Sequence, residues 1–132
     1  MIKGRFALFC DYALTSADGK LSIIGEFDHL HSTGEKAVLG KAFLVVSFLD
    51  KPNSKVNLEV RLVNEKGDDE LFKQNFNLTA SNEGKINIII EFHGLTFNQF
   101  GTYKAVVLEN DKKIIETSLS VLKSQTLPQA RA

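Results

Sequence analysis

Cys10 and Asp11 stand side by side near the start of the chain, and a thiol beside a carboxylate is a possible nucleophile with its base. Such a thiol must become a thiolate, which requires a histidine or a cationic setting close by. Strand parity argues otherwise. Cys10 shares a face with Phe6 and Leu8 and reads as a small core hydrophobe. Asp11 points the opposite way, close to the Ala17-Asp18-Gly19 turn, where its carboxylate can accept backbone N–H groups or meet Lys20. Asp11 and Asp28 are therefore expected on the exposed side, as structural or interface residues. His29 and His31 have the i, i+2 spacing that presents two imidazoles on one face of a strand, and His93 offers a third ligand for a three-histidine metal site. Against that site, His31 reads as a loop residue, nothing in the sequence draws His93 near, and no carboxylate is singled out. The histidines read as solvated strand ends. Gly34 to Ala42 superficially resembles a phosphate loop, but it has five intervening residues, Ala42 where Ser or Thr must hold magnesium, and no βαβ context. Asp68-Asp69-Glu70 falls in a turn and reads as a solvated charge cluster. No catalytic residue, cofactor or metal is assigned.

The elements around these residues have the two-residue period of strands. Val56-Asn57-Leu58-Glu59-Val60-Arg61-Leu62 alternates without error, and Ile86, Ile88, Ile90 and Phe92 share one side of another run. Between the runs lie Asp50-Lys51-Pro52-Asn53, Glu65-Lys66-Gly67-Asp68, Ser81-Asn82-Glu83-Gly84 and Glu109-Asn110-Asp111-Lys112, rich in residues that turn a chain. About eight strands result: 4–13, 20–29, 41–49, 55–64, 69–78, 85–93, 102–109 and 113–122. This pattern predicts an all-β, antiparallel, immunoglobulin-like β-sandwich forming one domain over 1–122, followed by a polar tail, 123–132, that frays. The single helical signal is Ser32 to Leu39, where Ser32 and Glu35 have capping-box spacing and Gly40 can stop one turn. Tyr103, two residues after Gly101 at the entry to the penultimate strand, resembles a tyrosine corner, in which the hydroxyl ties back to nearby backbone.

Phe6-Ala7-Leu8-Phe9-Cys10-Asp11-Tyr12-Ala13, Gly19-Lys20-Leu21, Gly25-Glu26-Phe27-Asp28, Gly94-Leu95-Thr96-Phe97 and Phe100-Gly101-Thr102-Tyr103 together resemble a bacterial family of short uncharacterised proteins, a domain of unknown function. The resemblance runs from Phe6 to Val121. It implies a β-sandwich and supplies no catalytic residues.

Sixteen basic and sixteen acidic residues balance, interspersed along the chain, so no field gathers phosphates; neither nucleic acid nor a membrane is expected as partner. One cysteine and an apolar run of only Phe6 to Cys10 fit a cytoplasmic protein. The strongest functional signal is an excess of apolar surface. Strands 4–13, 41–49 and 102–109 are apolar on both faces, whereas a small sandwich normally keeps one face wet. The second face needs a cover: the 30–40 or 93–101 loops, the tail, or another subunit. The leading reading is a non-enzymatic, protein-binding or self-associating module, as a homodimer or a part of a larger assembly. The alternative is a small-ligand- or metal-dependent enzyme using Cys10, Asp11 and the histidines.

Overall fold

A computed structural model describes residues 2–124, and among them there are nine strands and no helix. In chain order these are β1 (Lys3–Thr15), β2 (Leu21–Phe27), β3 (His29–Ser32), β4 (Ala37–Leu49), β5 (Lys55–Asn64), β6 (Glu70–Thr79), β7 (Lys85–Phe97), β8 (Gly101–Glu109) and β9 (Lys112–Lys123). They form a four-stranded sheet, β2-β1-β4-β7, and a five-stranded sheet, β3-β9-β8-β5-β6. The architecture is the two-sheet sandwich that the alternation predicts.

The core follows from that alternation. Phe9, Leu44, Val46, Phe48, Ile86, Ile88, Ile90 and Phe92 point inward from the first sheet, against Val56, Leu58, Val60, Leu62, Tyr103, Ala105, Val107, Leu119 and Val121 of the second. Each large side chain buried this way contributes about 1.5–3 kcal/mol before entropy is counted. Phe72 and Phe92 meet edge-to-face across the sheets, ring centroids 5.2 Å apart.

Three local readings need correction. The run expected as one strand, 20–29, is two strands in different sheets. β2 pairs with β1 as far as Phe27, the Asp28 carbonyl then accepts the Ser120 N–H at 2.9 Å, and β3 continues alongside β9 in parallel. The sandwich is thus antiparallel except for this pair, and His31 lies in a strand. Second, Ser32 caps no helical turn. Its hydroxyl accepts the Gly34 N–H at 3.2 Å and donates to the Lys36 carbonyl at 2.9 Å, closing a tight loop that delivers the chain to β4 at Ala37. Third, the segments expected as covering loops are largely strand, since β4 begins at Ala37 and β7 runs to Phe97. Of the expected tail, β9 extends through Lys123, and 125–132 lie outside the described residues.

Tyr103 is fully buried, with its ring edge-on to Phe97 at 4.9 Å. Its hydroxyl accepts the Gln99 N–H at 3.3 Å, which is the backbone tie expected of a tyrosine corner. It also donates to the Asp69 carboxylate. The Asp68-Asp69-Glu70 cluster is therefore not simply solvated. Asn64 accepts the Asp68 and Asp69 N–H groups at 2.9 and 3.1 Å and donates to Asp68 and Gln99, and Asn98 donates to Asp69 at 3.2 Å. The Asn64 bond holds the Asp68 carboxyl below its usual range, with the Gln99 amide adding to the effect. This latch fastens the β5–β6 turn to the β7–β8 connection. Burial, and then the Asp69 carboxylate, push the Tyr103 phenol up to about 12.

Candidate functional site

The side chains of β1, β4 and β7 that point away from the core make a second apolar surface on the outside of the four-stranded sheet. Cross-strand register arranges them in rows: Phe6, Ser47 and Asn87; then Leu8, Val45 and Ile89; then Glu26, Cys10, Phe43 and Glu91. In the next row Tyr12 faces Ile24 and Lys41 faces His93. Cys10, Ala13, Phe43 and Val45 are buried in this outer cluster, with Phe6, Leu8 and Ile89 of the sheet and Leu21 and Ile23 of the β1–β2 hairpin packed against them. Tyr12, Leu14 and Ile24, which alternate with Ala13, Leu21 and Ile23 along the hairpin, are 42%, 38% and 59% exposed. Singly exposed apolar residues are ordinary on a protein surface, but a contiguous set beside a buried apolar cluster is not.

Ala13, Leu21 and Ile23 of the β1–β2 hairpin cover part of the face, and nearby polar side chains cover more of it. The Arg5 guanidinium lies 5.6 Å from the Phe6 ring centre and donates to Ser47 Oγ at 3.2 Å, while Ser47 donates to Asn87 at 2.6 Å. The Lys41 ammonium lies 5.8 Å from the Tyr12 ring centre and 5.7 Å from that of Phe43, and those two rings meet edge-on at 5.3 Å. Aliphatic stems and cation–π contacts thus shield part of the aromatic area and leave the charged heads in water.

Cys10 sits at the middle of this surface. It is buried, as its parity with Phe6 and Leu8 predicts, but in the outer cluster and not between the sheets. Its thiol donates to the Tyr12 carbonyl at 3.4 Å. Burial pushes its pKa up, and the charges of Asp11 and Glu26 add to that, so the sulfur stays protonated and is a poor nucleophile. Asp11 is exposed opposite Gly25, and a Cβ at Gly25 would collide with the Asp11 carboxylate. That approach, with a φ of 72°, is what requires glycine there. Lys20 pairs with Asp18 at 3.6 Å and not with Asp11. Asp28, also exposed, pairs with His29 at 2.5 Å.

The histidines separate. His29 and His31 lie on β3 with ring centres 6.0 Å apart, and His31 Nδ1 is 3.0 Å from Ser124 Oγ. His93 lies on β7 in the other sheet, paired with Glu91. Among the described residues, no three His, Cys, Asp or Glu side chains are grouped to hold a metal.

Sequence reasoning flagged the two-faced strands β1 and β4 but missed the part that Ala13, Leu21, Ile23, Arg5, Glu26 and Glu91 take in the same face, and the exposure of Ile24. One signal was present: Ile24 shares its side of the strand with Glu26 and Asp28, an apolar residue in an acidic row. The third strand expected to be doubly apolar behaves differently. Val106 of β8 is half-buried between Arg61 and Glu116 on the outside of the five-stranded sheet.

No curated protein matches the sequence. Among solved structures, the chain is similar to the Pseudomonas fluorescens alkylpurine DNA glycosylase AlkC bound to DNA containing an abasic-site analogue, with 9% identity and a TM-score of 0.55 over 92% of this chain. This chain spans 30% of that protein's length, so the likeness is one of fold alone. An immunoglobulin-like protein from Pseudomonas aeruginosa is 12% identical over 92% of this chain and 96% of its own, with a TM-score of 0.45. The family model for DUF6941, a family of unknown function, matches residues 5–122, and the chain belongs to that family.

Proposed function

We propose that this protein is a non-enzymatic binding module that docks another protein through the outer face of its four-stranded sheet. The observation that supports the reading is the exposed apolar set Tyr12, Leu14 and Ile24 on the β1–β2 hairpin, whose alternate residues Ala13, Leu21 and Ile23 pack on the buried cluster of Cys10, Phe43 and Val45. The enzyme reading built on Cys10, Asp11 and the histidines draws no such support, because the thiol is held protonated and the imidazoles lie on different sheets.

Site-specific photo-crosslinking in living cells tests the reading. A photoreactive residue in place of Ile24 is expected to form protein adducts, and the same residue in place of Val106 is expected to form none. Absence of adducts at position 24, or equal yields at both positions, overturns the assignment of this face.

A further inference from the structure

We propose that β6 pairs edge to edge with β6 of a second copy of this chain, antiparallel and centred on Gln74. This surface belongs to the five-stranded sheet, away from the β1–β2 hairpin, so it stands or falls separately from the binding reading above. Four strands end the two sheets: β2 and β7 in one, β3 and β6 in the other. β3 is only four residues long, and Gly25, at a φ of 72°, interrupts β2. On β7 the preceding turn covers the start of the edge. The Ser81 N–H donates to the Lys85 carbonyl at 3.0 Å, and the Lys85 N–H donates to Ser81 Oγ at 3.1 Å. Short edges, kinks and covering loops are ordinary defences against edge pairing. β6 has none of them. It pairs with β5 from Phe72 to Thr79 without a register shift and contains no proline. The single charge in that run, Lys73, already lies 3.9 Å from Glu59.

The backbone phase of β6 follows from one bond. The Ala80 N–H donates to the Ser54 carbonyl at 2.8 Å, in register with the ladder, so the even-numbered residues of β6 bond to β5. Lys73, Asn75 and Asn77 therefore turn their N–H and C=O groups to the outer edge, where no strand lies among the described residues. The side chains there are open too. Lys73, Gln74, Asn75 and Asn77 are exposed and Phe72 and Phe76 only half-buried, whereas the inward row of β7, Ile86 to Phe92, is buried. What fits this edge is its own copy, because the inward row of β6 reads the same in both directions. Phe72, Gln74 and Phe76 stand opposite Leu62, Val60 and Leu58 of β5. A two-fold axis at Gln74 sets each Phe72 against the partner's Phe76, on either side of a Gln74 pair, and a two-fold contact is self-complementary by construction. Aromatic pairs across neighbouring strands are favourable, and a primary amide has the donor and acceptor to bond its own copy in both directions. Lys73 and the partner's Asn75 then exchange backbone hydrogen bonds, and the axis repeats the exchange. Centring on Asn75 instead sets each Gln74 against a phenylalanine and leaves its amide without a partner.

Disulfide trapping on the full chain tests this. Gln74 and the partner's Gln74 form a pair without mutual backbone bonds, with Cα atoms about 4.5 Å apart, a separation that a disulfide spans. Gln74→Cys at about 100 μM under mild oxidation is expected to form a disulfide-linked dimer at least about tenfold faster than Asn75→Cys, whose two copies lie beyond disulfide reach. Cys10 stays in place, since it is buried, and the wild type is expected to form no linked dimer. Adding Asn75→Pro to Gln74→Cys is expected to slow trapping at least about tenfold, because the proline removes an N–H of the outer edge and none of the bonds to β5. Circular dichroism is expected to stay that of Gln74→Cys. Equal or faster trapping at position 75, or a folded proline variant that traps as fast as Gln74→Cys, overturns the pairing. If the proline variant misfolds, the comparison of positions 74 and 75 decides. A wild type that stays monomeric to about 1 mM in sedimentation equilibrium also overturns the proposal.

Discussion

The two outer faces of the sandwich are built on opposite rules. Outside the five-stranded sheet, charges pair along and across strands: Arg61 with Glu59 of its own strand at 3.8 Å and with Glu70 of the next at 2.6 Å, Lys73 with Glu59 at 3.9 Å, and Lys104 with Glu116 at 3.9 Å. Val106 lies among them without forming a patch. Outside the four-stranded sheet the central positions are Cys10, Phe43 and Val45, all buried, and the charges stand at the rim. Exposed ion pairs contribute little stability, roughly 0–1 kcal/mol each, but they leave a surface that satisfies itself in water. The apolar face buries its centre against Ala13, Leu21 and Ile23 of the β1–β2 hairpin, and the hairpin leaves Tyr12, Leu14 and Ile24 open. Both faces belong to sheets over one core, so the difference is not demanded by the fold. It marks where to look for function.

That contrast can be attacked at three levels of energy. Phe43→Ala is expected to cost about 3 kcal/mol in urea unfolding, near the core range, whereas Val106→Ala on the other outer face costs under about 1 kcal/mol. A Phe43→Ala loss as small as that of Val106→Ala would make the two faces equivalent.

Tyr103 belongs to neither outer face and calibrates the scale. Its folded-state pKa is raised from the ordinary 10 to about 12, so the neutral phenol is favoured by folding. The associated stability, about 2–3 kcal/mol, is fully present below pH 10 and is lost as the pH rises through 10 to 12. The difference between wild type and Tyr103→Phe across that window isolates it from other groups that titrate there. A difference that does not change with pH would contradict the buried-phenol account. The smallest effect is expected on the charged face, where Arg61→Met should change stability by no more than about 1 kcal/mol. A larger loss would mean that its ion pairs carry more of the fold than their exposure allows.

The sandwich itself was legible wherever one face is wet. Val56 to Leu62 and Ile86 to Phe92 alternate cleanly, and both strands stand where the alternation predicts. Legibility failed where tertiary context decides. The passage from β2 to β3 depends on Asp28 and Ser120, which are far apart in sequence, and no local pattern announces a parallel pair. The Ser32 and Glu35 spacing is equally suited to a helix start and a tight serine turn, and the strands on either side select the turn. Asp69 read as solvated because its partner Tyr103 lies 34 residues on. For the candidate site, the excess apolarity of β1 and β4 was visible in composition. Which face it occupied was not, because period two assigns residues to sides without saying which side meets the second sheet.

Photo-crosslinking in living cells from Ile24 and from Val106 tests the central claim most directly. The account predicts protein adducts from Ile24 and none from Val106. No adducts from Ile24, or equal yields from the two positions, would contradict it.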